Sequence, residues 1–488
     1  MIAGDDFLFT LHQFIISTLC LFFMYFAWRD QAAGTFDKLS HVSVKIVAPL
    51  LIGLFIGLYF LLLKEWISGG VVLPLAFALL ITLSIFDPKY AVSFFIFLLI
   101  SRPWEIMKDQ MMSGMPRDIF ILCFLSFVGH KIVRRRFYFQ WNGASAMVLF
   151  FAIWAFFSII PNGRVVGALI DYNEIFIKGI IVYFLIVNVV DKKEFILPIQ
   201  SALVLGITEK ALMSFYNTMV LGIVSDGDRM TGIGILENSN DIAAIMILVI
   251  PFTLAFLKEV RPTILKYLLG TAVFAFYFFL IWQSRSRGAI LGIGSLAVAW
   301  FWLQSTNKKM ASVIVVVGLA ACLGAMSLIK RDAADVESST SNRKIYWGAA
   351  LNMAVRKPIF GVGYTGYPQN LLTYTNGHVG TEGKHKTAHS TWLLAMAETG
   401  LIGFVFYMGI WIFALKSAWA MRYVHPEFLL GILSYGTAIT FLSHTYMLYP
   451  YILLGMTVAS GQFYMKATEE DEVPTKGLEG ALIAKGLV

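Results

Sequence analysis

Four short stretches of the 488-residue chain carry side chains whose types and spacing could do chemistry. The first is Asp228-Arg229-Met230-Thr231-Gly232-Ile233-Gly234, followed closely by Asn238-Ser239-Asn240-Asp241. The second is Ser284-Arg285-Ser286-Arg287-Gly288, the third Ser341-Asn342-Arg343-Lys344-Ile345-Tyr346-Trp347, and the fourth His389-Ser390. Arginine presents a planar fork of donors that matches phosphate oxygens two at a time, and its charge is not titrated away. Several arginines gathered at one membrane boundary suit a lipid-linked phosphate or pyrophosphate. Taken singly, each is equally a side chain that snorkels to headgroups or caps a helix end. Arg287 fits that bland reading least, because it opens an apolar run where an unpaired charge is costly. His389 titrates near neutrality and can take a proton from a hydroxyl, or it is an interfacial histidine bonded to a loop carbonyl. His385 and His389 have the i, i+4 spacing of two metal ligands on a helix. Gly380 and Gly383 argue for loop there and no carboxylate is placed beside the pair, so no metal is assigned.

A second group of charges interrupts apolar runs. Asp171, Glu174 and Lys178 fall at i, i+3 and i+7, which is one face of a regular helix. Glu209 and Lys210 sit inside the next run, and Glu398 sits alone in a later one. Such charges serve either as a polar pathway through a membrane or as internal ion pairs that hold helices together.

The elements that must position these residues follow from composition. The chain is 58% hydrophobic and 14% charged, against about 25% charged in ordinary soluble domains. With 41 Phe, 20 Tyr and 12 Trp and a mean hydropathy of +0.73, it has too little polar surface to dissolve in water. Its apolar residues come in runs of roughly 17 to 25, the length that crosses a ~30 Å hydrocarbon core. The reading is an all-α, polytopic membrane helix bundle of about 14–15 spans. They are placed near 8–28, 43–63, 70–86, 90–102, 118–132, 144–160, 168–190, 194–222, 241–257, 263–283, 288–304, 311–329, 390–415, 427–446 and 449–466. Residues 1–466 then form one transmembrane domain that includes a long outer loop, 330–389, and residues 467–488 form a cytoplasmic tail.

Alternate short loops are basic, among them those with Lys131, Arg134, Arg135 and Arg136, with Lys192 and Lys193, and with Lys308 and Lys309. The positive-inside rule makes these loops cytoplasmic and puts all four chemical stretches on the outer face. Loop 330–389 is itself basic, but a loop of that length can translocate regardless of charge. The net charge of +8 therefore reads as topology and not as nucleic-acid binding. Cys20, Cys123 and Cys322 all lie in apolar runs, which argues against disulfides, and residues 8–28 read as a first span and not as a cleavable signal.

In this order the four stretches resemble the O-antigen ligase and O-antigen polymerase superfamily of bacterial membrane glycosyltransferases. The most specific match is His389-Ser390, nine residues, Gly400, two residues, Gly403. Arg343, Trp347 and Pro358-Ile359-Phe360-Gly361-Val362-Gly363-Tyr364 are similar to the segment that precedes this histidine in the family. Ser286-Arg287-Gly288 and Arg229, Gly232 and Asn240 look like its two outer-loop arginine motifs. The resemblance implies a GT-C-like architecture and an inverting glycosyl transfer on the periplasmic face of the inner membrane, without metal or other cofactor. The donor would be a glycan on undecaprenyl pyrophosphate, and the acceptor either lipid A–core or another lipid-linked repeat. Arg229 and Arg287 would hold the pyrophosphate as it leaves, and His389 would orient or deprotonate the acceptor hydroxyl. Arg343, Arg285, Trp347 and Asn240 would bind substrate. A chain-length regulator or a second copy of the chain are the protein partners such an enzyme can take, besides membrane lipids. The reading from a different class is a secondary transporter or lipid flippase that uses Asp171, Glu174, Lys178, Glu209 and Lys210.

Overall fold

Long runs of Leu, Ile, Val, Phe and Ala satisfy their backbone hydrogen bonds most simply within the segment, and helices dominate the described residues accordingly. The computed structural model describes residues 88–102, 115–133, 139–161, 165–190, 193–225, 228–232, 234–258, 263–328, 333–375 and 386–470. The expected spans 8–28, 43–63 and 70–86, with Cys20, lie outside these residues, as does most of the expected tail.

The helices are α1 (Pro88–Ser101), α2 (Met115–Val133), α3 (Gly143–Ser158), α4 (Val165–Asp171), α5 (Ile177–Val189), α6 (Ile196–Phe215), α7 (Ser239–Lys258) and α8 (Thr263–Gln283). They continue with α9 (Arg287–Gln304), α10 (Lys308–Leu328), α11 (Ala333–Arg356), α12 (Tyr367–Tyr374), α13 (Thr391–Ala420), α14 (Pro426–Ile439) and α15 (Leu448–Glu470). A π turn, Tyr172–Phe176, joins α4 to α5, and another, Tyr216–Val220, prolongs α6. Among the described residues the only strands are β1 (Val224–Ser225) and β2 (Arg229–Met230), which form a short antiparallel hairpin pairing Val224 with Met230. Two helical stretches, Ile196–Val220 and Thr391–Ala420, are each long and apolar enough to cross a membrane.

The layout places α14 between α7 and α9, while α13 packs on α3, α11 and α15. Small residues set the closest approaches: a Cβ on Gly292 of α9 would stand 3.0 Å from both Ile247 of α7 and the Ser434 carbonyl of α14. Such contacts are how apolar helices associate where lipid offers no hydrophobic drive.

Three expectations need correcting. Segment 330–389 is not a plain loop: α11 takes up its first half and α12 follows. The π turn interrupts the regular helix assumed between Asp171 and Lys178, and Glu174 and Lys178 lie exposed, with Glu174 still acting on the Lys178 charge. The span expected over 427–446 ends at Ile439, because Thr440 to Met447 make the turn that leads into α15. That turn carries His444.

Candidate functional site

The site is organised by the start of α13 and by a corner inside it. His389 has a left-handed backbone (φ 46°) immediately ahead of Ser390, whose extended backbone and side chain cap the helix through Leu393 N–H. At Gly400 the helix turns (φ 69°, ψ −174°), a conformation open essentially to glycine alone. The carbonyls released by that corner are taken up by the loop after α11. Val362 N–H donates to Ala397 O at 2.9 Å and Gly363 N–H to Glu398 O at 3.1 Å, while Leu401 N–H donates to Pro358 O at 2.7 Å. Trp154 Nε1 donates to Thr399 O at 3.0 Å. Glu398, for which the sequence offered no partner, is 2% exposed and accepts the Tyr367 N–H at 3.0 Å. The spacing from His389 to Gly400 is therefore the distance from a helix cap to the corner on which the 358–367 loop docks.

The arginines meet at the same end. Arg229 leaves β2 with its Nε–H donating to Ser284 O at 2.9 Å and an Nη–H donating to Asn240 Oδ1 at 2.8 Å, so one guanidinium ties the hairpin to the turn before α9 and to α7. Arg285 sits in that turn with a left-handed backbone (φ 48°), and Ser286 caps α9 by accepting from Ala289 N–H. Arg287 is the first residue of α9, where the positive end of the helix dipole adds to its own charge. Its Nε is buried with no hydrogen-bond partner among the described residues. Arg343, from α11, lies with its guanidinium 5.9 Å from the Phe441 ring centroid, and burial together with Arg287 holds its pKa below the ordinary value. Two like charges and a helix N-terminus facing one another are a seat for an anion.

His389 borders this seat. Trp347 Nε1 donates to the His389 carbonyl at 3.5 Å, and the Tyr346 ring lies 5.8 Å from the imidazole, tilted by 37°. Burial first, then Arg343, pushes the His389 pKa down to about 4, with Asp241 pulling the other way and Lys386 adding to the fall. The imidazole is neutral at pH 7 and can accept a hydroxyl hydrogen.

All four sequence stretches thus come together, with Arg229, Asn240, Arg287, Arg343, Trp347 and His389 in one cluster and Arg285 in the adjoining turn. Asp171, Glu174 and Lys178 hydrogen-bond none of its members, and Glu209 and Lys210 are buried inside α6, each 1% exposed. His385 lies outside the described residues. Sequence reading missed a contribution from the turn after α14. His444 Nε2 meets Asp241 Oδ1 at 2.9 Å, and its Nδ1 meets Tyr435 Oη at 2.7 Å. The polar triplet Ser443-His444-Thr445 inside an apolar run was the available signal.

Residues 271–408 match the family model described as O-Antigen ligase. That stretch contains Arg285, Arg287, Arg343, His389 and the Gly400–Gly403 spacing, so the resemblance read from those motifs is shown. No curated protein matches the chain.

Proposed function

We propose that this protein, whose residues 271–408 match the O-antigen ligase family model, moves a glycan from undecaprenyl pyrophosphate to an acceptor hydroxyl at the outer face of the bacterial inner membrane. The family supports glycan transfer in polysaccharide biosynthesis and membrane residence in general. The observation that carries the finer reading is the pairing of Arg287, whose buried Nε has no partner among the described residues, and Arg343 beside a neutral His389.

Pyrophosphate is already a good leaving group, so the protein needs chiefly to position the reactants and to stabilise the departing charge. Arg287 and Arg343, with Arg229 bracing the turn before α9, supply fixed positive charge where the sugar–oxygen bond breaks. His389 holds the acceptor hydroxyl on the opposite side of the anomeric carbon, which inverts its configuration. Fixed cations can do this without a metal. The whole of residues 1–466 serves as one multi-pass domain, and the lipid donor enters sideways from the bilayer between helices. Basic alternate loops support the orientation, with the cluster facing the periplasm.

Ligase activity is preferred over polymerase activity because the His389–Gly400–Gly403 spacing follows the ligase signature. The test is to delete the gene and analyse the lipid carrier: full-length chains accumulating there support a ligase, whereas single-repeat products make the protein a polymerase.

A further inference from the structure

A carboxylate stands among these cations, and the arginine–histidine reading leaves it without a task. Asp241 lies in the first turn of α7, one residue after the Asn240 that anchors Arg229. His444 and Tyr435 are fully buried, while the Asp241 side chain keeps 16% exposure. With the Tyr435 hydroxyl donating to Nδ1 of His444, the Nε2–H donates to one carboxylate oxygen of Asp241 and leaves the other for a ligand. The turn that carries His444 is latched beside His389. His444 N–H donates to Thr391 Oγ1 at 3.0 Å, and Thr445 Oγ1 donates to Thr391 O at 2.7 Å. An acidic residue in a first helical turn is favourable by itself. That does not account for a fully buried histidine aimed at it, nor for its charge acting on His389 against Arg343 and Lys386.

Protonating either group adds one positive unit to the cluster. At His389 that unit is a new charge opposed by burial, whereas at Asp241 it leaves a neutral carboxyl with an edge open to water. We propose that Asp241, fixed by His444, accepts the proton that the acceptor hydroxyl loses, while His389 holds that hydroxyl. This rests on the glycan-transfer reading above. In the step, the acceptor oxygen bonds to the anomeric carbon as the bond from that carbon to pyrophosphate oxygen breaks. The bonding pair leaves with the lipid pyrophosphate, the hydroxyl proton passes to Asp241, and water at its exposed edge takes the proton away. Asp241 is a catalytic residue and His444 a positioning residue acting through it.

The experiment uses the full-length protein in nanodiscs, a lipid-pyrophosphate-linked glycan donor and its acceptor. It measures kcat, KM and, separately, the affinity for undecaprenyl pyrophosphate. Asp241→Asn should lower kcat by about 10²–10³, the scale of a lost general base, with lipid-pyrophosphate affinity within about threefold of wild type. Asp241→Glu should recover at least about tenfold over Asp241→Asn, and added formate should restore part of the rate to Asp241→Ala. His444→Gln should lower kcat and leave KM in place. Asp241→Asn at wild-type kcat, a loss confined to KM, or no rescue by formate or by Asp241→Glu would overturn the role of Asp241 while leaving glycan transfer standing. Absence of transfer by the wild-type protein would instead overturn the reading on which it rests.

Discussion

Replacing Gly400 with alanine strikes at the joint between His389's helix and the loop that follows α11. A non-glycine residue at φ 69°, ψ −174° costs about 1–3 kcal/mol. The added Cβ would also run into the carbonyl oxygens of Ile359 and Pro358, which are backbone and cannot rotate away. Relief requires the loop to withdraw, breaking the Leu401–Pro358 and Val362–Ala397 hydrogen bonds, each worth about 0.5–1.5 kcal/mol net. The expected destabilisation is roughly 2–6 kcal/mol, so the docked loop loses at least about 30-fold in relative population. Thermal unfolding in detergent should fall by at least about 2 °C, and glycan transfer measured well below that temperature should fall with it. Gly403→Ala is the control. Its Cβ would crowd Oγ1 and Cβ of the buried Thr399 and the Trp154 ring, but its backbone carries no positive φ, so it escapes the left-handed strain and its effect should be smaller. Gly400→Ala with wild-type melting and wild-type transfer would refute the argument that this corner sets the site.

The other expectations can be checked with the same preparation. Arg229→Lys should lower transfer about 10- to 100-fold, because an ammonium cannot reach both Ser284 O and Asn240 Oδ1 as the guanidinium does, and Arg229→Gln should be no better. With its pKa near 4, His389 is neutral across the physiological range, so kcat/KM should stay flat from about pH 8 to about pH 5 and fall only below that. A fall centred near the ordinary histidine value of 6.5 would contradict this. Arg343→Gln removes a charge that lowers that pKa and should move the acid fall to higher pH, though short of 6.5 because burial remains the larger cause. Neutralising Asp171 and Glu174 together should leave transfer within about twofold, as expected of a half-buried and an exposed charge that hydrogen-bond none of the cluster; loss of activity there would favour a transport pathway.

Much of this was legible in the sequence because it rests on local rules. Apolar runs gave helix positions close to those seen, as with Thr263–Gln283 against the expected 263–283, and arginine chemistry picked out the residues that meet. The His389–Gly400–Gly403 spacing was readable as a pattern, but its physical reason was not, since it lies in carbonyls of α13 bonded to a loop some 40 residues earlier. Asp241 and His444 are 203 positions apart, and no periodicity brings them together. His444 was also hidden by an apolar run that looked long enough to be a single span. The π turns escaped notice for a related reason: regular spacing assumes regular winding, and Tyr172–Phe176 breaks it.

The central claim is that fixed arginines and His389 move a glycan off lipid pyrophosphate. The most direct test is transfer by purified protein in nanodiscs with a chelator present, comparing wild type with folded Arg287→Ala and His389→Ala. The account predicts metal-free transfer by wild type and a loss of about 10²–10³ in each variant. Unchanged transfer in both variants, or wild-type transfer that stops with the chelator and returns with a divalent metal, would contradict it.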